Sequence, residues 1–347
     1  VSWTWILAGA IPGAIVLSLL AFHRAAVRRY VSVVARIFTE KPLFIVPRGQ
    51  APLDAEDVTL TARDGSILHG CYLKARNHRR GVILFGLEFG SNRWACVPYT
   101  EFLRDAGYDI FAIETRGQGD SAARSGYEPL QWVTDIELDD YRSAIAYLKT
   151  RPDADRRGVG LFGLSKGGSA GLLLAAEDSF VRCFVTDGIF AIQTTMIPYM
   201  RKWVYLYTNK KAFVKFIPDW YYGILGRCAV EAVEKERHCR YPDLEAALPR
   251  LGKRPLLMIH GGADNYIRPE MAKSLFDLVG GPKELWLVDK AKHNQAIHQA
   301  NGEYRRKVLE FFNKNLAVSD EATVPSMLPL PSSAPALSKV PQLVGAS

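Results

Sequence analysis

Cysteine is scarce in this chain. Among 347 residues there are five: Cys71, Cys96, Cys183, Cys228 and Cys239. They form an odd set with no C-x-x-C spacing, which excludes a disulfide scaffold and a zinc knuckle and fits a reducing compartment or no redox role. The chain has no repeat of fixed period, no basic nucleic-acid helix, no zinc finger and no RNA-recognition signature, so nucleic acid is not an expected partner. No histidine–carboxylate spacing suggests a metal, and no cofactor is expected. An excess of one charge is also missing: 44 basic against 36 acidic residues leave a formal +8. So modest a surplus suits a phospholipid leaflet at least as well as a nucleic acid. Apolar side chains are plentiful, at 48%. That supports a core, in one large domain or two ordinary ones, and excludes disorder of the whole.

Charge is absent altogether from Ser2 to Phe22. A helix of about 20 such residues rises about 30 Å, enough to cross the hydrocarbon of a bilayer. Trp3 and Trp5 stand at one end, where indoles favour the interface. Pro12 and Gly13 would weaken a soluble helix but are tolerated in a membrane one. Arg24, Arg28, Arg29 and Arg36 follow, so the positive-inside rule puts the catalytic side in the cytoplasm. The reading is a single-pass transmembrane anchor over 1–23 and a juxtamembrane linker over 24–54. A cleaved signal peptide and a buried core helix are the alternatives. The signal peptide is opposed by the missing positive n-region and the length of the run. At the other end, 318–347 is rich in Pro, Ser and Ala without periodicity, and reads as a disordered tail.

Between the ends, Val58–Thr61 and Leu68–Leu73 flank Asp64-Gly65, a hairpin turn signal. Continuous apolar runs follow at 82–85, 110–113, 159–162, 183–186, 256–259 and 285–288, as expected of strands covered on both faces. Helical stretches separate most of them, at about 95–106, 133–150, 167–177, 270–279 and 296–315. The alternation predicts an α/β fold with a mostly parallel, doubly wound sheet over 55–317. It breaks at about 189–250, an aromatic stretch with Arg201, Lys202, Lys210, Lys211 and Lys215 interleaved. That stretch reads as a helical insertion over one edge of the sheet, its aromatics filling a small core of its own.

The strongest local signal is Gly163-Leu164-Ser165-Lys166-Gly167-Gly168, a G-x-S-x-G pattern between a strand and a helix. A serine at so sharp a turn projects its hydroxyl above the sheet, and close strand–helix packing leaves room only for small residues nearby. The N–H of Lys166 sits at a helix N-terminus, where negative charge is favoured. A serine needs a base. Asp264 and His293 follow in the expected chain order, each in a loop just past a strand. His293 would move the Ser165 proton and Asp264 would orient the imidazole. Asp187 and Asp289 are alternative orienting acids. His260 reads as a packed residue, His298 as out of phase with His293, and Glu114–Ser121 as a structural loop.

These residues resemble the α/β-hydrolase superfamily, in its serine esterase/lipase and serine-aminopeptidase-like branch. The match covers about 55–316: GLSKGG, R-G-Q-G-D-S at 116–121, H-G-G-A-D at 260–264 and K-A-K-H-N at 290–294. The resemblance implies an α/β-hydrolase fold with a lid where the aromatic insertion lies. It also implies a second oxyanion N–H from the loop after the third strand. The family's His-Gly is missing there; Phe85-Gly86-Leu87-Glu88-Phe89-Gly90 stands instead. Glu88 or Phe89 must then supply the N–H, with the Glu88 carboxylate turned away from the oxyanion.

The expectation is therefore a membrane-anchored serine hydrolase acting on a small-molecule or lipid ester. An acyl-CoA thioesterase or acyltransferase is the next reading, with Lys166 suited to an anionic substrate. A peptidase and a catalytically idle membrane-binding module complete the set.

Overall fold

The computed structural model describes residues 3–41, 48–208, 214 and 216–317. The predicted tail, and Lys210, Lys211 and Lys215 of the insertion, lie outside them. Asp64 and Gly65 make the tight turn signalled by the sequence. Gly65 takes a φ of 85°, which only glycine adopts freely. The Ser66 N–H donates to Asp64 Oδ1 at 3.1 Å. This turn joins β1 (Ala55–Thr61) to β2 (Ile67–Leu73) in an antiparallel pair.

Six strands follow: β3 (Gly81–Gly86), β4 (Tyr108–Ile113), β5 (Val159–Leu164), β6 (Val181–Asp187), β7 (Leu256–Gly261) and β8 (Lys283–Val288). All eight lie in one sheet of order β1-β2-β4-β3-β5-β6-β7-β8. β2 meets β4 antiparallel, and every later pairing is parallel. β3, β4, β5 and β7 are buried along their whole length, which is why they read as unbroken apolar runs.

The helices, in chain order, are α1 (Trp3–Ala26), α2 (Ser32–Thr39), α3 (Val97–Asp105), α4 (Asp135–Thr150), α5 (Ser165–Glu177), α6 (Ile192–Tyr207), α7 (Asp219–Arg237), α8 (Leu244–Ala247), α9 (Pro269–Leu278), α10 (Ala296–Gln299) and α11 (Asn301–Asn315). The apolar faces of α4, α5 and α9 cover one side of the sheet, through residues such as Tyr141, Leu173 and Leu275. Those of α3 and α11 cover the other, through Phe102, Leu103, Val308 and Phe312. α4 starts where Thr134 and Glu137 cap each other's backbone N–H. The helix expected over 296–315 is two, because Ala300 leaves helical geometry at φ −125° and ψ 36°.

Residues 24–39 are helical. α1 passes through a π-helical turn, Val27–Val31, into α2. Ala26, Val31, Val34 and Phe38 then join a third apolar cluster with Trp132, Met200, Tyr222 and Leu225. Phe38 stacks on Trp132 at 4.8 Å between ring centroids. The Trp132 indole N–H donates to the Phe38 carbonyl at 2.9 Å. A short apolar face on α2 found a partner on the insertion, and burying it outweighs leaving the segment free.

The described residues of the insertion are mainly helical. Its α6 reaches the loop after β7, where the Tyr199 hydroxyl donates to the Tyr266 carbonyl at 3.4 Å. Its aromatics divide: Phe190 and Tyr222 are buried, whereas Tyr205, Tyr207, Phe216 and Trp220 are exposed. Among the described residues one helical stretch, Ile11–Thr39, is long and apolar enough to cross a membrane, a length and composition that also fit a signal sequence. Ile11, Ile15, Leu19 and Phe22 on it are exposed.

Candidate active site

Ser165 opens α5 at a φ of 47°, in the left-handed region that few non-glycine residues adopt. The turn is possible because its neighbours have no Cβ. One added at Gly163 would lie 2.3 Å from Gly168 Cα, and one at Gly167 would lie 2.3 Å from the carbonyl carbon of Gly86. The strand, helix and β3 loop therefore converge on the serine.

The structure brings the three residues singled out in the sequence together at this edge. Ser165 Oγ lies 3.0 Å from His293 Nε2. His293 Nδ1 lies 2.7 Å from Asp264 Oδ2. With Nδ1 carrying its proton toward the carboxylate, Nε2 is left to accept from the serine. Asp264 is held in turn: its Oδ1 accepts the N–H groups of Tyr266 and Ile267, each at 2.8 Å. The Tyr266 ring flanks the imidazole at 5.7 Å between centroids.

The other candidates lie close by without joining these contacts, His260 Nε2 being 3.6 Å from Asp264 Oδ2. His260 is buried with Nε2 at 2.8 Å from the Ile267 carbonyl, and burial holds it below the ordinary histidine value, so it is neutral and packed. Asp187 lies beneath the site and accepts from the Tyr304 hydroxyl at 3.0 Å, while burial pushes it up to about 7. The loop 114–121 is structural: Glu114 accepts from the Arg93 and Asp120 N–H groups at 2.8 and 2.7 Å, and Arg116 is bound to Asp140.

Lys166 differs from one expectation. Its backbone N–H lies in the first turn of α5, where such donors are free of helix partners. Its side chain faces no substrate. The ammonium is buried and paired with the Glu137 carboxylate and the Leu130 carbonyl. Burial lowers its pKa, and Glu137 opposes that only in part. The anionic-substrate role is thereby removed, because a buried charge needs its partner where it stands.

The β3 loop is held from two sides. The Gly90 N–H is committed to Gln118 Oε1 at 2.8 Å, which removes it as a second oxyanion donor. The Glu88 carboxylate turns to the base-bearing loop, where Asn294 Nδ2 donates to it at 2.5 Å. Burial raises its pKa above the usual carboxylate range. Glu88 thus ties the oxyanion loop to the residue after His293. Sequence reasoning missed this contact and the Glu137–Lys166 pair. Thr134 and Glu137 carried a capping signal, but nothing marked Glu137 as a lysine partner.

A cavity of about 690 Å³ opens between α6 and the start of α7, lined by Ile197, Arg201, Tyr205, Leu206, Ile217 and Arg268 among others. Among the described residues no group of three or more His, Cys, Asp or Glu side chains could hold a metal ion.

A sheet of this order, with a serine at a left-handed strand–helix turn, defines a class, and the comparisons agree with it. The model of the alpha/beta hydrolase family matches residues 67–306, and the chain belongs to that family. It is 25% identical over 270 residues to the uncharacterized protein YfhR of Escherichia coli K12, across 76% of this chain and 82% of that one. Among solved structures it is similar to the Pyrococcus furiosus esterase Pf2001, at 22% identity and a TM-score of 0.58 over 80% of this chain and 98% of that one. The ferulic-acid complex of Est1E from Butyrivibrio proteoclasticus superposes with a TM-score of 0.54 at 15% identity, over 74% and 98% of the two chains. At these identities the structural likeness is one of fold.

Proposed function

We propose that this chain is a membrane-anchored serine hydrolase that cleaves carboxylic esters, lipid-like ones above all, at the cytoplasmic face of its membrane. The observation that carries the reading is the pair of contacts Ser165 Oγ–His293 Nε2 at 3.0 Å and His293 Nδ1–Asp264 Oδ2 at 2.7 Å. Ser165 Oγ attacks the ester carbonyl carbon as His293 takes its proton. The tetrahedral oxyanion meets the N–H of Lys166 and that of Glu88 or Phe89. Asp264 stabilises the imidazolium. Collapse expels the alcohol, which leaves with the proton from His293, and an acyl-enzyme remains. Water, deprotonated by the same imidazole, then releases the acid and restores Ser165. Esterases among the structural neighbours support ester chemistry, and the uncharged run from Ser2 to Phe22, which would hold the chain among lipids, supports a lipid-like acyl group. The anchor is residues 1–23 and the catalytic domain 55–317.

The test is labelling with a fluorophosphonate probe in a membrane fraction. The intact chain should be labelled and Ser165→Ala should not. A folded chain that takes no label overturns the reading. A panel of p-nitrophenyl esters and acyl-CoAs then decides the bond, and faster turnover of the thioesters would exclude the ester preference.

A further inference from the structure

Ring contacts join the N-terminal helix to the insertion. Phe22 stacks on Tyr221 with centroids 5.9 Å apart, and His23 Nδ1 lies 3.3 Å from the Tyr221 hydroxyl. Trp220 stands edge-on to Tyr221 at 5.8 Å. The Arg29 guanidinium donates to the Tyr207 carbonyl at 3.4 Å, at the end of α6. With Phe38 edge-on to Tyr241 at 4.9 Å between centroids, these contacts strap α1 and α2 to the insertion.

The ladder fixes a depth. Phe22 is the last residue of the uncharged run and Arg24 the first charge beyond it. On an anchoring helix that step marks where hydrocarbon gives way to headgroups. Tyr221 and Trp220, reached from Phe22 ring by ring, stand at the same level. Large apolar side chains surround them and face outward: Leu206 is 56%, Phe216 82% and Trp220 66% exposed. Arg24, Arg28, Arg29, Arg201 and Lys202 are exposed nearby, although Arg201 is paired with Asp219. Aromatic and aliphatic side chains ringed by cations make the composition of a segment that lies in a membrane interface.

We propose that Leu206, Phe216 and Trp220 form a membrane-docking rim, buried at the headgroup–acyl boundary of the phospholipid leaflet that α1 enters. The inference rests on the reading of α1 as an anchor. Because the insertion is strapped to α1, the contact is a standing one.

The experiment uses the full chain in phosphatidylcholine–phosphatidylglycerol vesicles that contain phospholipid brominated near the carbonyl end of its chains. Tryptophan fluorescence is compared between the intact protein and Trp220→Phe. The expected result is that the emission contributed by Trp220 is quenched by the brominated lipid and unquenched in its absence. If that emission is unaffected while carbonate leaves the chain in the membrane, the rim is wrong and the anchor stands. Release of the chain by carbonate overturns the anchor and the rim together. A second readout uses the combined Phe216→Gln and Trp220→Gln variant. Hydrolysis of a long-chain ester embedded in the bilayer should fall about tenfold, as lost apolar contact predicts, with a short soluble ester turned over as before. Unchanged turnover of the embedded ester overturns the rim.

Discussion

The carboxyl edge of the sheet and the insertion above it are built on different principles. At the edge, the reacting side chains are held by hydrogen bonds close to strand ends. Asp264 is pinned by two backbone N–H groups, His293 by Asp264, and the β3 loop by Gln118 and Asn294. In the insertion, helices pack mainly through apolar side chains onto α2 and the segment around Trp132, with large residues left exposed. Hydrogen bonds at strand ends fix positions sharply, because they are directional. Apolar packing fixes position less sharply and leaves surface for another phase. On this view chemistry belongs to the edge and access to the insertion, and substitutions should sort accordingly.

The hardest test of that division is Ser165→Ala. On a short soluble ester it should lower kcat by about 10³-fold or more, whereas changes in the exposed rim leave kcat alone. A Ser165→Ala protein within tenfold of the intact one would end the assignment. Next in size is the orienting acid. Asp264→Ala should cost about 10³–10⁴-fold in kcat, and adding it to His293→Ala should cost little more, since the residues act as a unit. A severe Asp187→Ala beside a mild Asp264→Ala would transfer the role to Asp187.

Stability sharpens the comparison further. Lys166→Met leaves the buried Glu137 carboxylate without its cation and should cost about 3–5 kcal/mol in a denaturation curve. Adding Glu137→Gln should recover part of that loss; no recovery would mean the pair is not the cause. Phe38→Ala removes a buried ring from the cluster that joins α2 to the insertion, for about 3 kcal/mol. Its mark is faster amide exchange in α2 and α7 with none at the loops around Ser165 and Asp264. Equal loosening of both regions would erase the division.

The smallest effect concerns pH. Burial raises Asp187 from 3.8 to about 7, so between these values the folded protein holds a proton that the unfolded chain has released. The stability of the intact protein therefore falls as pH rises across that window. Asp187→Asn keeps an acceptor for Tyr304 and removes the titration. The variant should gain stability relative to the intact protein at pH 8 and show a smaller difference at pH 5, read from melting temperatures. A constant difference at the two pH values would show that Asp187 does not titrate in this window.

All eight strands were legible, because continuous apolar runs between turn residues have few other uses in a chain of this length. The Asp64-Gly65 hairpin was legible for the same local reason. Ser165 stood out through its glycines, and Asp264 and His293 through their places after strands. Partners far apart in sequence were not legible. Asn294 reaches Glu88 across 206 residues, and Glu137 reaches Lys166 across 29. No local pattern encodes either. The expected side-chain role of Lys166 went astray on such a contact.

By itself, then, the sequence determined the αβ alternation, the hairpin, the strand–GLSKGG–helix turn and the uncharged N-terminal run. Each depends on period, turn chemistry or composition within a few consecutive residues. Tertiary structure decided the rest: which cation Glu137 neutralises, where the Glu88 carboxylate turns, that α2 packs on the insertion, and which aromatics stay exposed. Those outcomes depend on which surfaces meet when the chain closes, and burial, with the pairing it demands, is a property of the assembled fold.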